Sequence, residues 1–458
     1  MPRIRPLTIF GFVLAFAAMA VCLLAGASAA ILLNRQPVAR PNSEATPTLA
    51  VASPPAASAT QAAKNTTVPV TPAPTAPSQA TSVYNWKGTL PPVPAPIALP
   101  MGSPEYGMQA FLWWRQDTMD RDIALVKKAG FSWVKQNFGW RDIETVKGQF
   151  DWGRPDRIVL STNDAGMDMV VRLDFAPDWA APGCHSDDPS KDLIQGPPKD
   201  LRDYANFVRA VATRYKGRIR AYEIWNEPNL AREWCGKPPS GKEYVQLLKL
   251  AYETIKAADP TTWIISAGLS PTTRNDNVAR PDAFFLQEMY DAGASKYFDL
   301  LGVHGAGFRA PPEADPAQVA RDPNLANPGD FAGGVPEELR RVYCFRHTED
   351  LHAVMLKNGD SKKQVALLEF GWTSDKLHPN YAWFAVSEQQ KADYLVRAYR
   401  YAYKNWKPWI GLMSLIYISD PQWTQNDEQY WWAITNPDGS PRPAFTALQA
   451  MSKDINPP

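Results

Sequence analysis

An excess of charge is missing from this chain: 48 Lys and Arg stand against 47 Asp and Glu over 458 residues, a formal net charge of +1. The globular-looking part carries no basic run, so nothing electrostatic points to nucleic acid or an anionic surface. A neutral polymer is the easier partner. Missing too is a glycine-rich phosphate loop after any strand-like run, which argues against a nucleotide-binding open sheet. No Gly-x-Ser-x-Gly elbow occurs, which sets aside serine esterase chemistry. Histidine is scarce at 5 copies, and His347 and His352 are spaced so that they do not share one helical face as metal ligands. Neither metal nor cofactor is expected.

Cysteine is equally sparse at 4 copies. Cys22 falls inside an apolar run, leaving Cys184, Cys235 and Cys344. Cys184 and Cys235 fall on loops that follow neighbouring strands, so they are the preferred disulfide, with Cys344 free.

The first hundred residues lack globular character. Arg3 and Arg5 precede an almost unbroken apolar stretch from Leu7 to Leu33, long enough to cross a bilayer as one helix. The small residues Ala25 to Ala30 read as a signal-peptide cleavage site. The apolar run resumes at Ile31 to Leu33, and the basic residues before it favour a cytoplasmic amino end, which favours a retained anchor over residues 1–33. Both readings place the rest of the chain outside the cytoplasm, membrane-anchored or secreted. Residues 34–100 are dominated by Pro, Ala, Thr and Ser, cannot bury enough apolar surface to fold, and read as a disordered tether. Its maximum reach is on the order of 200 Å at about 3.1 Å per residue. The stretch Leu90 to Pro96 is a candidate to lie against the folded part.

From residue 101 to 458 short β-like runs alternate with amphipathic helical stretches, the pattern of a parallel sheet covered by helices. The strand candidates are Tyr106–Leu112, Ser132–Phe138, Asp168–Phe175, Ile219–Asn226, Trp263–Leu269, Phe298–His304, Gln364–Phe370 and Leu412–Ile418. Helices are expected over Asp120–Ala129, Asp200–Tyr215, Gly241–Ala258, Ser387–Lys404 and Phe445–Lys453. Such alternation, repeated eight times and ending with a helix, describes a single α/β domain, a (β/α)8 TIM barrel. The chemistry of that fold lies at the carboxyl ends of its strands.

Two such ends carry glutamates in apolar and aromatic company. Tyr222-Glu223-Ile224-Trp225-Asn226 delivers Glu227 to Pro228, and Val365-Ala366-Leu367-Leu368 leads into Glu369 and Phe370-Gly371-Trp372. A pair of carboxyls on strands four and seven suggests glycoside hydrolysis, which needs a proton donor and, in retaining enzymes, a nucleophile on the opposite face of the sugar. The two must differ in acidity, one kept protonated and the other ionised. Glu227 is assigned as acid/base and Glu369 as nucleophile. Asn226 stands ready to hydrogen-bond the sugar 2-hydroxyl. Glu223 reads as an interior structural carboxylate paired with Lys135 or Arg172.

These residues resemble clan A of the retaining glycoside hydrolases over roughly residues 104–450. Besides Trp225 to Asn229 and Glu369 to Trp372, the likeness includes Phe138-Gly139-Trp140-Arg141-Asp142-Ile143-Glu144, then Gly148 to Trp152, and Ala176-Pro177-Asp178-Trp179-Ala180. The β-xylosidase and α-L-iduronidase family is most similar, with the cellulase family close behind. The resemblance implies that Asn-Glu after strand four holds the acid/base and that the nucleophile follows strand seven, which map onto Glu227 and Glu369. The chain departs from it in two places. Clan members commonly carry a tyrosine two residues beyond the histidine after strand six, whereas His304 is followed by Gly305 and Ala306. Strand eight often ends in a tryptophan, but here in Tyr417-Ile418-Ser419-Asp420, leaving Trp423, Trp431 or Trp432 as substitutes.

The substrate-binding candidates are therefore Asn226, His304, Trp140, Trp179, Arg172, Tyr417 and Trp423, with packing as the competing role for the tryptophans. The expected partner is a β-linked glycan and the expected state a monomer. A carbohydrate-binding barrel without catalysis and a transglycosylase are the alternatives.

Overall fold

The computed structural model describes residues 101–113, 115–186 and 191–453. The anchor expected over 1–33 and the tether over 34–100 lie outside the described residues. Among the described residues no helix is long and apolar enough to cross a membrane.

Strands and helices alternate as β1 (Glu105–Gln109), α1 (Gln116–Lys128), β2 (Trp133–Gly139), α2 (Gly153–Asp164), β3 (Asp168–Asp174), α3 (Leu201–Arg214), β4 (Ala221–Ile224) and α4 (Gly241–Ala258). They continue as β5 (Trp263–Ser266), α5 (Asp282–Asp291), β6 (Leu300–Ala306), α6 (His347–Lys357), β7 (Gln364–Gly371), α7 (Glu388–Asn405), β8 (Ile410–Leu415) and α8 (Pro443–Ala450). The strands close into a barrel in chain order, and neighbours are parallel throughout, β8 pairing back onto β1. All eight strands predicted from the alternation are present. Their ends differ where the backbone leaves the extended region: β4 stops at Ile224 because Trp225 takes φ 73°.

The helices form for local reasons. On α3 the buried residues Tyr204, Phe207, Val208 and Val211 recur at helical spacing, and Asp200 caps the first turn by accepting from the Arg202 N–H. Ser240 caps α4. Ser387 and Gln390 form a reciprocal capping box on α7. Pro443 begins α8, where its missing N–H costs nothing.

Three apolar clusters divide the interior. The largest lies between strands and helices. A second plugs the barrel from below with Trp133, Val170, Trp263, Leu300, Leu368 and Leu412 among others, and the Trp133 and Trp263 rings stack at 6.5 Å and 11°. The third joins the long segment after β6, through Phe308, Val319 and Tyr343, to Tyr381, Phe384, Tyr417 and Trp432 from the loops after β7 and β8. That segment packs against the loops at the mouth. The disulfide joins Cys184 to Cys235 with Cα atoms 4.5 Å apart, and Cys344 is free and buried, the pairing preferred from sequence.

Register is broken at one instructive place. Val303 pairs with Leu367, but the next residue, His304, pairs with Glu369, so Leu368 is bulged out of the β6–β7 ladder. A bulge turns the following side chain to the other face of its strand. Here it sets His304 beside Glu369.

Candidate active site

Glu227 is delivered by a backbone in sparsely populated conformations. Trp225 has φ 73° and Glu227 φ 38°, values that cost non-glycine residues roughly 1–3 kcal/mol each and persist only where surroundings enforce them. The enforcement is visible. Trp225 is fully buried, donates its indole N–H to the Glu233 carbonyl at 3.0 Å and meets Tyr204 and Trp234 edge-on. The Glu227 N–H donates to the Gly268 carbonyl at 3.1 Å, and its own carbonyl accepts from Leu230 at 2.9 Å.

The Glu227 carboxyl meets His304 Nδ1 at 3.0 Å through Oε1 and lies 3.7 Å from Arg232 Nη2 through Oε2. The same imidazole reaches the second carboxyl, with Nε2 3.9 Å from Glu369 Oε1. One ring therefore stands between the two glutamates. It fits only because residue 268 is glycine: a Cβ there would lie 2.1 Å from His304 Cδ2 and 2.2 Å from Nε2. Gly268→Ala should displace the ring and both carboxyls with it, costing on the order of 10²-fold in kcat/KM on an aryl β-glycoside. Unchanged kinetics in that variant would mean that the ring's position is immaterial.

Glu369 sits in a nest of cations. Lys135 Nζ donates to its Oε1 at 2.9 Å and Arg172 Nη1 at 3.2 Å. Burial pushes the carboxyl up, but Lys135, His304 and Arg172 outweigh it and hold Glu369 down at about 2. It is ionised at neutral pH. Lys135 also pairs with Glu223 at 3.2 Å, as expected for an interior structural carboxylate. Arg172 ties Asp174 at 2.9 Å and donates to Asn226 Oδ1 at 2.8 Å, so the side chain beside the acid/base is held by the cation beside the nucleophile. Asn226 donates in turn to Glu233 at 3.3 Å, which Gln195 holds at 2.7 Å.

Several polar atoms around the pair are buried and make no hydrogen bond: Glu227 Oε2, Glu369 Oε2, His304 Nε2 and the Tyr417 hydroxyl. Buried polar atoms are nearly always satisfied in folded proteins, so a group of orphans around one point marks a place built for something else. Burial, with Glu369 next in effect, raises the Tyr417 hydroxyl well above its ordinary value. It is a protonated donor there. Tyr417, after β8, supplies a phenol near Glu369 where the tyrosine expected beyond His304 is lacking.

Most of the residues expected at the site come together: Asn226, His304, Arg172 and Tyr417 surround Glu227 and Glu369. Arg172 is spent on protein partners and acts as a positioning group. Trp423 stands next to them, its ring 5.5 Å from Tyr417 and 5.0 Å from Phe111. Trp140 and Trp179 do not belong there. Trp140 is fully buried, stacks on Phe207 of α3 at 5.3 Å and donates to Glu144 at 2.6 Å. Its ring has turned outward between barrel and helix and is core. Trp179 meets Trp140 edge-on, donates to the Glu144 carbonyl at 3.0 Å and faces the barrel's flank.

Sequence reasoning missed Arg232, Glu233, Gln195 and Glu428. Lys135 was legible as a lysine inside a strand of apolar neighbours. Glu428, on a short helical turn Glu428–Trp432 after β8, has both carboxyl oxygens buried without a hydrogen bond of good geometry. Burial raises it to about 8, tempered by Tyr381 and Arg232. The folded protein therefore keeps a proton that the unfolded chain releases near 4.5, so this group's contribution to stability falls as pH rises from about 4.5 to about 8. Melting curves across that window should show Glu428→Gln losing less Tm than the wild type as pH rises. Parallel curves would show that Glu428 does not titrate there.

An eight-stranded parallel barrel with one glutamate after β4 and another on β7 is the arrangement of the clan A glycoside hydrolases. Residues 99–291 match the cellulase family, glycosyl hydrolase family 5. The chain is 26% identical over 182 residues to a β-galactosidase from Bifidobacterium bifidum, covering 34% of this chain and 26% of that protein. It is 24% identical over 163 residues to a β-xylosidase from Geobacillus stearothermophilus, covering 32% of each. The matched part thus spans a third or less of these relatives. Among solved structures, a family 39 glycoside hydrolase from Bacteroides cellulosilyticus WH2 shares the fold with TM-score 0.53 and 17% identity, covering 77% of this chain and 64% of that one. The resemblance to the clan seen in the sequence is upheld.

Proposed function

We propose that this chain is a retaining glycoside hydrolase that cleaves a β-linked glycan by double displacement. The supporting observation is the asymmetry of the pair: Glu369 is held ionised by Lys135, Arg172 and His304, while Glu227 shares the same imidazole at 3.0 Å. In the first step Glu227 gives its proton to the departing glycosidic oxygen as Glu369 attacks the anomeric carbon, forming a covalent glycosyl ester. In the second, Glu227 takes a proton from water, which displaces Glu369 and restores both carboxyls. In this reading Asn226, fixed by Arg172, holds the sugar 2-hydroxyl, and the protonated Tyr417 hydroxyl donates toward the nucleophile. The β linkage is carried over from the names of the relatives.

The test is the stereochemistry of the first-formed product from an aryl β-glycoside, followed by proton NMR. Release of the β-hemiacetal supports the proposal, and initial release of the α-anomer rejects it. Absence of turnover on xylan, glucan, mannan and aryl glycosides alike would favour a non-catalytic binding barrel. Sugar transfer to added acceptors in place of hydrolysis would favour a transglycosylase on the same groups. We also propose that residues 1–33 export the chain and anchor it, with 34–100 as tether. The Cys184–Cys235 disulfide suits an oxidising compartment, and mass measurement of the mature protein tests retention of the anchor.

A further inference from the structure

Asn226 precedes the acid/base Glu227 in the chain and is fully buried, so what it offers to a sugar is decided by the protein groups around it. Two of them fix its orientation. Arg172 Nη1 lies 2.8 Å from Asn226 Oδ1, and a guanidinium has only donors, so the amide oxygen must be the atom that faces it. The amide nitrogen is thereby turned toward Glu233, whose Oε1 accepts from Nδ2 at 3.3 Å. The second N–H of that nitrogen meets no protein acceptor among the described residues.

Glu233 is held in its turn. It is fully buried on the helical turn Ala231–Glu233 after β4, and its Oε2 accepts from Gln195 Nε2 at 2.7 Å. Gln195 has no freedom to flip, because its own Oε1 accepts from the Phe175 N–H at 2.7 Å. Its Nε2 also lies 3.5 Å from Asp174 Oδ2, and Asp174 pairs with Arg172 Nε at 2.9 Å. The circuit thus closes on the guanidinium from which it started. Gln195 and Glu233 belong to separate loops that are stitched together: the Ile194 and Gln195 N–H groups donate to the Arg232 carbonyl at 2.9 and 3.1 Å, and the Cys235 N–H to the Gln195 carbonyl at 2.8 Å. The Cys184–Cys235 disulfide joins the same two loops. A Cβ on Gly196 would lie 2.4 Å from that of Cys235, so the loops approach too closely for any other residue there.

We propose that Glu233, supported by Gln195, is a positioning residue that aims one N–H of Asn226 at the 2-hydroxyl oxygen of the sugar and so favours glycosides whose 2-position carries an acceptor. The inference rests on the proposed glycosidase reading and deepens it. A donor fixed before the ligand arrives costs no reorganisation when charge develops beside it. Burial pushes the Glu233 carboxyl up to about 8, but Oε1 accepts a hydrogen bond whether or not the other oxygen carries a proton. Its hold on Asn226 therefore does not depend on its charge.

The experiment compares kcat/KM of the full chain on an aryl β-glycoside and on its 2-deoxy counterpart. Two variants are set beside the wild type: Glu233→Met, which removes the acceptor at similar length, and Glu233→Asp, which withdraws it by one methylene. Each should lower the ratio of the two kcat/KM values, 2-hydroxy over 2-deoxy, by about tenfold, the scale of loosening one hydrogen bond. A change in the acidity of Glu227, which feels the Glu233 charge, acts on both substrates and cancels in the ratio. In an Asn226→Ala background Glu233→Met should lower the ratio no further, because the two residues act through one contact. An unchanged ratio in both variants, with both substrates slowed alike, would reduce Glu233 to a structural group and overturn the proposal. So would a tenfold loss that persists without Asn226. If Glu233→Met fails to fold, Glu233→Asp decides alone. No turnover of any aryl glycoside by the wild type would instead sink the glycosidase reading itself, so the two failures are distinguishable.

Discussion

Glu369→Gln is expected to lower kcat on an aryl β-glycoside by at least about 10⁴-fold, the scale of losing a nucleophile from a unit whose members act together. The amide keeps the shape and the acceptor oxygen facing Lys135 and Arg172, so the barrel should remain folded. What disappears is the negative charge that the two cations were arranged to hold, and with it the capacity to form the glycosyl ester. Removing one partner of a buried ion network leaves the others uncompensated, and the related loss is about 3–5 kcal/mol when no polar substitute remains. Glutamine limits that penalty. Circular dichroism should therefore show a native spectrum and a modest fall in Tm beside abolished turnover. Undiminished turnover in this variant would remove Glu369 from the chemistry.

The second large effect depends on the leaving group. Glu227→Ala removes the proton donor, so hydrolysis of a glycoside with a poor leaving group should slow by roughly 10²–10⁴-fold, the ordinary worth of a positioned acid or base. A dinitrophenyl glycoside departs without protonation, and its first step should proceed nearly unimpaired. The second step still lacks its base. The covalent intermediate should then accumulate, KM should fall with kcat, and a burst of phenolate should precede a slow steady rate. Equal slowing on both substrates would show that Glu227 acts in some other way than as the acid of the first step.

Much of this site is legible from local sequence, for definable reasons. Glu227 is announced by the Asn226-Glu227-Pro228 run just past the end of β4 and by aromatics that pin the turn. Glu369 ends an apolar run on a strand buried along its whole length. The alternation of strands and helices carries the fold because each helix must cover a barrel face with a stripe of apolar residues. What escapes is tertiary. Arg232, Glu233 and Glu428 lie on helical turns of three to five residues after β4 and β8, too short for a periodicity that tells which way a side chain points. The bulge between β6 and β7 is a property of pairing and leaves no mark in either strand alone, yet it decides that His304 sits beside Glu369. Trp140 misleads because an aromatic just after a strand end serves equally to stack on sugar or to seal a helix onto the barrel, and here it stacks on Phe207.

The apolar plug under the two glutamates bears on traffic as well as stability. Trp133, Trp263, Leu368 and their neighbours close the floor, so a ligand between the glutamates would come and go on the loop side. On the proposed mechanism the aglycone leaves by the same door through which its replacement comes, water and any competing alcohol queue at one threshold, and reshaping it at Trp423 is expected to shift the partition between cleavage and sugar transfer without altering either glutamate.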